Sequence, residues 1–473
     1  MTIVHQPIQT PARTARIDKV LAATGDWLMR HQFIIRRMQW VVVLFYVVLI
    51  AVPAFLPLPE RTAHVWSNLT LFAQFAFWGI WWPFVLLSMV LVGRLWCGLL
   101  CPEGALSEFA SEKGKSFAVP RWLTWAGWPF VAFALTTIYG QMVSVYQYPG
   151  PALVILGGST VGAIIVGYLY GRAKRVWCRY LCPVTGVFGV LSKLAPLHFR
   201  VDQQSWRAWE KPADHHMPQV NCAPLVPLRT MKGGSACHMC GRCSGFRGAI
   251  ALSRRSPNDE IVHVAGLKAK PWETALIVFG LMGIAAGAFH WTSSDLYIDV
   301  KQALADFLIA RDWLWPLEPH LPWWMLTNYP AQNDQLSPVD GVVLVGYILA
   351  TCLIIGTSVS LCLAAATATL GKWSTARFHH LAQTLIPIAG CGVFLGLSGL
   401  TVSILRAEGL ALDFVGVIRA ALLIGAGLWS AWLAWRVARL YAKTLSRRLA
   451  GTLVMAAAAG IGCASWALLF WPV

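Results

Sequence analysis

The sequence predicts an all-α polytopic membrane protein with about nine transmembrane helices and one small polar, cysteine-bearing segment on the cytoplasmic side. Three observations predict it. Of 473 residues, 57% are hydrophobic and 12% charged, about half the charge of an ordinary soluble domain. Several apolar runs reach about 20 residues, enough to cross a hydrocarbon core about 30 Å thick. Lys and Arg gather on one side of these runs, and only Arg61, Lys301, Arg311 and Arg406 fall in segments assigned to the other. That asymmetry marks the basic side as the cytoplasm. It also accounts for the net charge of +17 without a nucleic-acid partner; the surrounding partner is membrane lipid.

The elements follow in order. Residues 1–37 form a basic cytoplasmic N-terminal segment with no apolar core of a cleavable signal peptide, so the first helix serves as the insertion signal. Residues 38–195 form a four-helix membrane core with spans near 38–57, 69–93, 122–143 and 151–170. Residues 196–271 are polar, basic and too poor in hydrophobes to build a sizeable core unaided. Residues 272–473 hold spans near 272–291, 340–368, 376–404, 413–437 and 449–471, with a periplasmic loop at 292–339. Nine spans place the N-terminus inside and the C-terminus outside. Trp313, Trp315, Trp323 and Trp324 lie among prolines in the outer loop, which suits the headgroup zone or a cap over the helices; a docking surface for an outer redox partner is the alternative.

Two stretches repeat at an interval of 81 residues: Arg94-Leu-Trp-Cys97-Gly-Leu-Leu-Cys101-Pro102 and Arg175-Val-Trp-Cys178-Arg-Tyr-Leu-Cys182-Pro183. Each follows a helix returning to the cytoplasm, so two hairpins can pack about a pseudo-twofold axis. Spacing of i and i+4 on a helical turn puts both sulfurs of a copy on one face. Cys97, Cys101, Cys178 and Cys182 together supply the four thiolates of a [4Fe–4S] cluster, and Arg94, Arg172, Lys174, Arg175 and Arg179 offset its negative charge. Disulfides do not suit the reducing side; a four-cysteine zinc site is the competing reading.

Residues 237–243 read Cys-His-Met-Cys-Gly-Arg-Cys, the spacing that three ligands of a bacterial ferredoxin cluster take. The fourth is expected at 247, where Arg247 stands. Cys222 is the nearest substitute, brought back by a loop through Gly233 and Gly234. Cys222, Cys237, Cys240 and Cys243 then make a second [4Fe–4S] site in this ferredoxin-like segment, with zinc again the alternative. His238 is a hydrogen-bond donor at the cluster edge or faces solvent.

The paired Cys-x-x-x-Cys-Pro motifs on hairpins, the Cys97–Gly104 run continuing to Glu108 and the ferredoxin-like segment resemble the NosR/NapH group of polytopic iron–sulfur proteins, which includes the FixG/CcoG type. The resemblance covers about residues 38–271. It implies membrane electron transfer, often between the quinone pool and periplasmic reductases, or reduction in the service of metalloenzyme maturation. The chain departs from that group in carrying one ferredoxin motif instead of two and no outer flavin domain, and helices 272–471 have no counterpart in its better-known members.

The later helices are read for carriers. His379, His380 and Gln383, ahead of Pro387 and Gly390, form a candidate quinone site, or anchor a helix end. Haem is disfavoured, because His290 meets only loop residues such as His64 and His320, and His379 and His380 point about 100° apart. Arg419, inside a span, is a functional candidate, or snorkels, or pairs with Asp413 or Glu408. Cys352, Cys362, Cys391 and Cys463 lack ligand spacing and read as buried hydrophobes. The expectation is an electron-transfer component of a bacterial inner membrane, not a stand-alone enzyme, with two cytoplasmic-side clusters, quinone and a redox partner protein. A metal-reducing assembly factor, for example in copper handling, and a zinc-stabilised scaffold or sensor are the alternatives.

Overall fold

A computed structural model describes residues 12–60, 62–209 and 220–471; the first 11 residues of the N-terminal segment and residues 210–219 of the ferredoxin-like segment lie outside the described residues. Twelve principal helices follow: α1 (Ala12–Arg30), α2 (Gln32–Phe55), α3 (Leu69–Val92), α4 (Pro102–Glu112), α5 (Trp128–Met142), α6 (Pro149–Tyr170), α7 (Pro271–Ser293), α8 (Asp295–Ile309), α9 (Pro338–Thr369), α10 (Thr375–Ala407), α11 (Val415–Tyr441) and α12 (Leu445–Phe470). Among the described residues eight of them, α2, α3, α6, α7 and α9 to α12, are long and apolar enough to cross a membrane. The protein is a multi-pass membrane protein.

The expected span at 122–143 is realised only as the 15-residue α5, about 22 Å long at 1.5 Å per residue. The reason is local. Residues 121–127 fold as turns in which the Trp122 and Trp125 rings pack edge-on against Trp128, and Pro129 starts the helix in its first turn. Even so, α5 carries the chain from the cysteine-bearing face to the opposite one. There Ser144 Oγ lies 2.7 Å from Thr327 Oγ1, and the Tyr139 hydroxyl donates to the Trp324 carbonyl.

Helix α7 is the hub. Its apolar stretch is 72% buried, against 28–39% for the other seven. Gly283 and Gly287 set it against the backbone of Cys352 and Ile348 on α9, the close approach that small residues permit between membrane helices. The rest of the core joins α3, α7 and α9 to α12. Wide π-helical turns at Phe75–Trp81, Leu153–Gly157 and Leu276–Ile284 interrupt α3, α6 and α7. Such turns often mark functional positions.

On the cysteine face, strands β1 (Leu197–Val201) and β2 (Ile250–Arg254) pair antiparallel from Leu197↔Arg254 to Val201↔Ile250. They close a small unit whose core consists of Phe199, Ile250, Leu252, Met239 and two of the cysteines themselves, Cys237 and Cys243. Helix α1 braces it: Asp26 accepts from Ser244 Oγ at 2.8 Å. At the opposite face the 292–339 loop contains the amphipathic α8 and the short ribbon β3–β4 (Asn328–Tyr329, Asp334–Gln335). Tyr329 stacks on Tyr148 and Thr327 donates to the Met142 carbonyl, so this loop caps the hairpin, while Trp313, Trp315 and Trp324 stay exposed.

Candidate functional site

The two repeats end their helices in the same way. After α3, Gly93 takes a left-handed φ of +71° and a short turn, Leu95–Leu99, carries Cys97. After α6, the matching turn Val176–Tyr180 carries Cys178. The second cysteine of each copy lies outside its turn. Cys101 is extended (φ −67°, ψ 118°) and caps α4, its Sγ accepting the Gly104 N–H at 3.4 Å. The expectation that one helical face carries both sulfurs of a copy is therefore corrected. A residue before proline is pushed out of the helical region, and the sulfurs meet by a change of chain direction.

All four repeat cysteines nonetheless line one cavity of about 220 Å³. Arg94 and Arg175, equivalent in the repeat, cross between copies. The Arg94 guanidinium donates to Thr185 Oγ1 at 2.8 Å, and that hydroxyl donates to the Cys178 carbonyl at 2.8 Å. In return Arg175 donates to the Cys97 carbonyl at 2.5 Å. This exchange expresses the pseudo-twofold relation in hydrogen bonds. Arg175 also bonds Glu108 Oε2 at 2.8 Å, and Arg242 of the ferredoxin-like segment takes Oε1 at 2.5 Å. Burial opposes ionisation of Glu108, but the Arg175 and Arg242 guanidiniums outweigh it and hold the carboxyl below its ordinary range. Glu103, beside the cysteines in the cavity, is pushed up by burial, against hydrogen bonds from Ser159 and Trp177.

Burial pushes the Cys178 thiol up to about 12, with Arg175 pulling the other way, and raises Cys101 and Cys182 strongly, each further raised by neighbouring repeat cysteines. Thiolates so placed need a cationic group to share. Among the described residues no three His, Cys, Asp or Glu side chains close on a single ion. Four thiols around a common space, with N–H groups of Gly104 and Val184 directed at two sulfurs, fit the wider [4Fe–4S] group.

The second set also comes together. Cys222 stands close enough to Cys237, Cys240 and Cys243 for its charge to act on theirs. Burial first, then Cys240, pushes Cys237 up to about 12, while its Sγ accepts the Met239 N–H at 3.4 Å. The Cys222 stretch is pinned to the second hairpin: Arg175 N–H donates to the Ala223 carbonyl at 2.8 Å, and Lys174 Nζ reaches the Cys222 carbonyl at 3.2 Å. Arg247 turns away, its guanidinium 4.9 Å and 4.6 Å from the Trp206 and Trp209 ring centres. The two sets touch through Gly98, where a Cβ would overlap the His238 carbonyl and meet Cys240 N. His238 is 2% exposed, so its solvent-facing alternative is corrected.

Other candidates lie apart from this cavity. His380 bonds the Tyr441 hydroxyl at 2.8 Å and the Ile261 carbonyl at 2.7 Å; His379 meets Thr274 Oγ1 at 2.8 Å; Gln383 accepts from the buried Lys193 at 2.6 Å. All three belong to a packed polar network. His290 bonds Tyr347, and His64 bonds Glu408. Arg419 stacks 4.2 Å over Phe470, with no ion pair to Asp413 or Glu408. Sequence reasoning named Arg94 and Arg175 for their charge but missed their crossing between copies and the joint role of Glu108; the shared Arg-x-Trp-Cys pattern was the signal for the former.

Comparison with known proteins agrees with this geometry. The family model described as a 4Fe-4S binding domain matches residues 74–117 and 153–202, the two hairpin ends that hold the repeat cysteines. YccM of Escherichia coli strain K12, whose name assigns it provisionally to electron transport, is 24% identical over 44% of this chain and 65% of its own. The regulatory protein NosR of Pseudomonas aeruginosa strain PAO1 is 27% identical over 24% of this chain and 19% of its own. The chain thus spans less than two thirds of either relative's length. No solved structure matches. With a 4Fe-4S binding domain on paired membrane hairpins, the chain is similar to the NosR/NapH-type membrane iron–sulfur proteins.

Proposed function

We propose that this protein moves electrons through two [4Fe–4S] clusters, one held by Cys97, Cys101, Cys178 and Cys182 and one by Cys222, Cys237, Cys240 and Cys243, in a bacterial inner membrane with the cysteine face toward the cytoplasm. The observation that carries the reading is the cavity. The four repeat cysteines line its floor, and it runs on between the helices among Trp78, Trp81, Trp82, Phe133, Tyr146 and Phe289. An apolar, aromatic chamber with few polar groups suits a flat, lipid-soluble carrier, and the reading takes a hydroquinone as the membrane-side partner. The reading prefers this chamber to His379, His380 and Gln383, of which His380 has both ring nitrogens bonded, His379 its Nδ1 and Gln383 its Oε1. Each bound cluster would supply a one-electron acceptor, so two match the two electrons that leave a hydroquinone with its two protons.

The chain's own residues do the rest. The aromatic walls exclude water, and Tyr46, tied to Thr160 Oγ1 at 3.0 Å, edges the chamber. Arg94 and Arg175 lock the cysteine turns and set positive charge beside them. A redox partner protein completes the circuit. The metal-reducing alternative draws on the intramembrane cysteines, but Cys352 and Cys463 direct their thiols to the Phe279 and Leu423 carbonyls.

The test is iron and acid-labile sulfide analysis of anaerobically purified protein, with low-temperature electron paramagnetic resonance after dithionite reduction. About eight iron per chain is expected, falling to about four in Cys178→Ala and in Cys237→Ala, with complementary signals surviving. Added quinone should reoxidise the reduced wild type. Zinc in place of iron, or loss of the same signal in both variants, would overturn the two-cluster reading.

A further inference from the structure

His238 belongs by sequence to the second cysteine set, next to Cys237, yet it lines the cavity of the first. It is almost wholly buried, at 2% exposure. Nδ1 is fully buried with no hydrogen-bond partner, and no described residue bonds either ring nitrogen. A buried polar group left unpaired costs about 1–3 kcal/mol, and native structures seldom leave one without a reason. By contrast His380, equally buried, has both ring nitrogens bonded.

Three guanidiniums stand near enough to the imidazole for their charge to reach it. Arg94, Arg175 and Arg179 all act on it electrostatically, and none accepts a hydrogen bond. The acceptors that share the cavity with His238 are the sulfurs of Cys97, Cys101, Cys178 and Cys182 and the Glu103 carboxylate; none of them bonds Nδ1 as the chain stands, which leaves that atom for a group held between the cysteines. Glu103 is already bonded by Ser159 and Trp177. Backbone position is fixed as well: the His238 carbonyl rests on Gly98, between the cysteines of the first repeat.

We propose that His238 donates a hydrogen bond to a sulfur of the cluster that the four cysteines at the hairpin ends would hold, so that one residue of the second group's loop tunes the reduction potential of the first. The inference rests on the two-cluster reading above. A donor to cluster or thiolate sulfur stabilises the more negative, reduced form, and hydrogen bonds of this kind are among the terms that set such potentials. His238 acts here as a positioning and tuning residue, in the wall that separates the two groups.

The experiment is a redox titration of the purified full-length chain, followed by electron paramagnetic resonance, comparing wild type with His238→Leu and His238→Gln. Iron and sulfide are counted on the same samples, so failure of the two-cluster reading appears as a low count and is distinct from failure of this one. With both clusters loaded, His238→Leu should favour the oxidised form of the hairpin cluster about tenfold, which is 59 mV for one electron, assigned by its absence in Cys178→Ala. Gln, which keeps a donor, should restore most of the shift. Unchanged potentials in His238→Leu, or a shift confined to the signal lost in Cys237→Ala, would overturn the proposal. Equal shifts in the Leu and Gln variants would do so too, since they would report only a change of shape.

Discussion

The two cysteine groups lie against each other but are built on opposite principles. The hairpin group draws its residues from two segments 81 residues apart, and long-range bonds hold it: Arg94 to the second copy, Arg175 to the first, Glu108 to both Arg175 and Arg242. The other is largely local. Three of its cysteines fall within seven residues on a loop turned by Met239, at φ +54°, and Gly241, at φ +77°, and only Cys222 comes from farther away. Repetition thus builds a site that is part of the membrane fold, whereas the loop is a cap laid over it, pinned at Gly98, Glu108 and Ala223.

The largest expected effect comes from the residue that serves both groups. Glu108→Ala would leave Arg175, at 2% side-chain exposure, and Arg242, at 23%, without their carboxylate. Breaking a buried ion pair from one side costs about 3–5 kcal/mol. Thermal unfolding in detergent should show a markedly lower midpoint, and iron should fall at both groups. Loss at the hairpin group alone would mean that the loop needs only its local cysteines and Cys222.

How much of this could be read from the sequence divides along the same line. The loop's spacing, and the failure of Arg247 to provide a fourth ligand position, follow from the eleven consecutive residues 237–247 and needed no tertiary information. The repeat was equally plain, yet its geometry was misjudged, because i,i+4 spacing invites a helix and the prolines at 102 and 183 forbid one at the second cysteine. Hydropathy located the long spans, since lipid demands uninterrupted apolar runs, but it placed a full span where Pro129 and three tryptophans leave only 15 helical residues. Helix α8 hid in the outer loop because its apolar residues are spaced for one surface and never form a run. The crossing of Arg94 and Arg175, and the removal of His380 and Gln383 into hydrogen bonds with Ile261 and Lys193, depend on which helices pack together. Periodicity in a single chain does not carry that information.

A smaller effect, confined to one group, tests whether the loop's fourth position is Cys222. Cys222→Ser should remove iron from the loop group and leave the hairpin group's signal. Adding Arg247→Cys, which restores the ferredoxin spacing on paper, should not bring it back. Residue 247 sits at a left-handed φ of +55°, and its side chain is packed against Trp206, Trp209 and Phe246, away from the other three cysteines. Recovery of iron in the double variant would show that the loop can refold around the local pattern, and would make the group fully independent of the hairpins.

The smallest substitution probes the contact itself and should cost neither group its iron. Position 98 is Gly in the first copy, where the second has Arg179, and the 238–240 loop lies directly on it. A methyl group there has no free space: it would overlap the His238 carbonyl and stand 2.9 Å from Cys240 N. Backbone atoms cannot swing aside as a side-chain tip can, so the loop must lift by about 1 Å, at or above the upper end of the roughly 1–3 kcal/mol usual for overpacking. The bonds from Gln39 to the Gly98 carbonyl and from Gln32 to the Cys240 carbonyl, both 3.0 Å, oppose that lift. Gly98→Ala should therefore lower the unfolding midpoint while both groups keep their iron, and magnetic coupling between the two reduced clusters, read as splitting or broadening of their resonance signals, should weaken. If the coupling is unchanged while stability falls, the strain has been absorbed within the Leu95–Leu99 turn, and the loop is held to the hairpins by Glu108 and Ala223 more firmly than by Gly98.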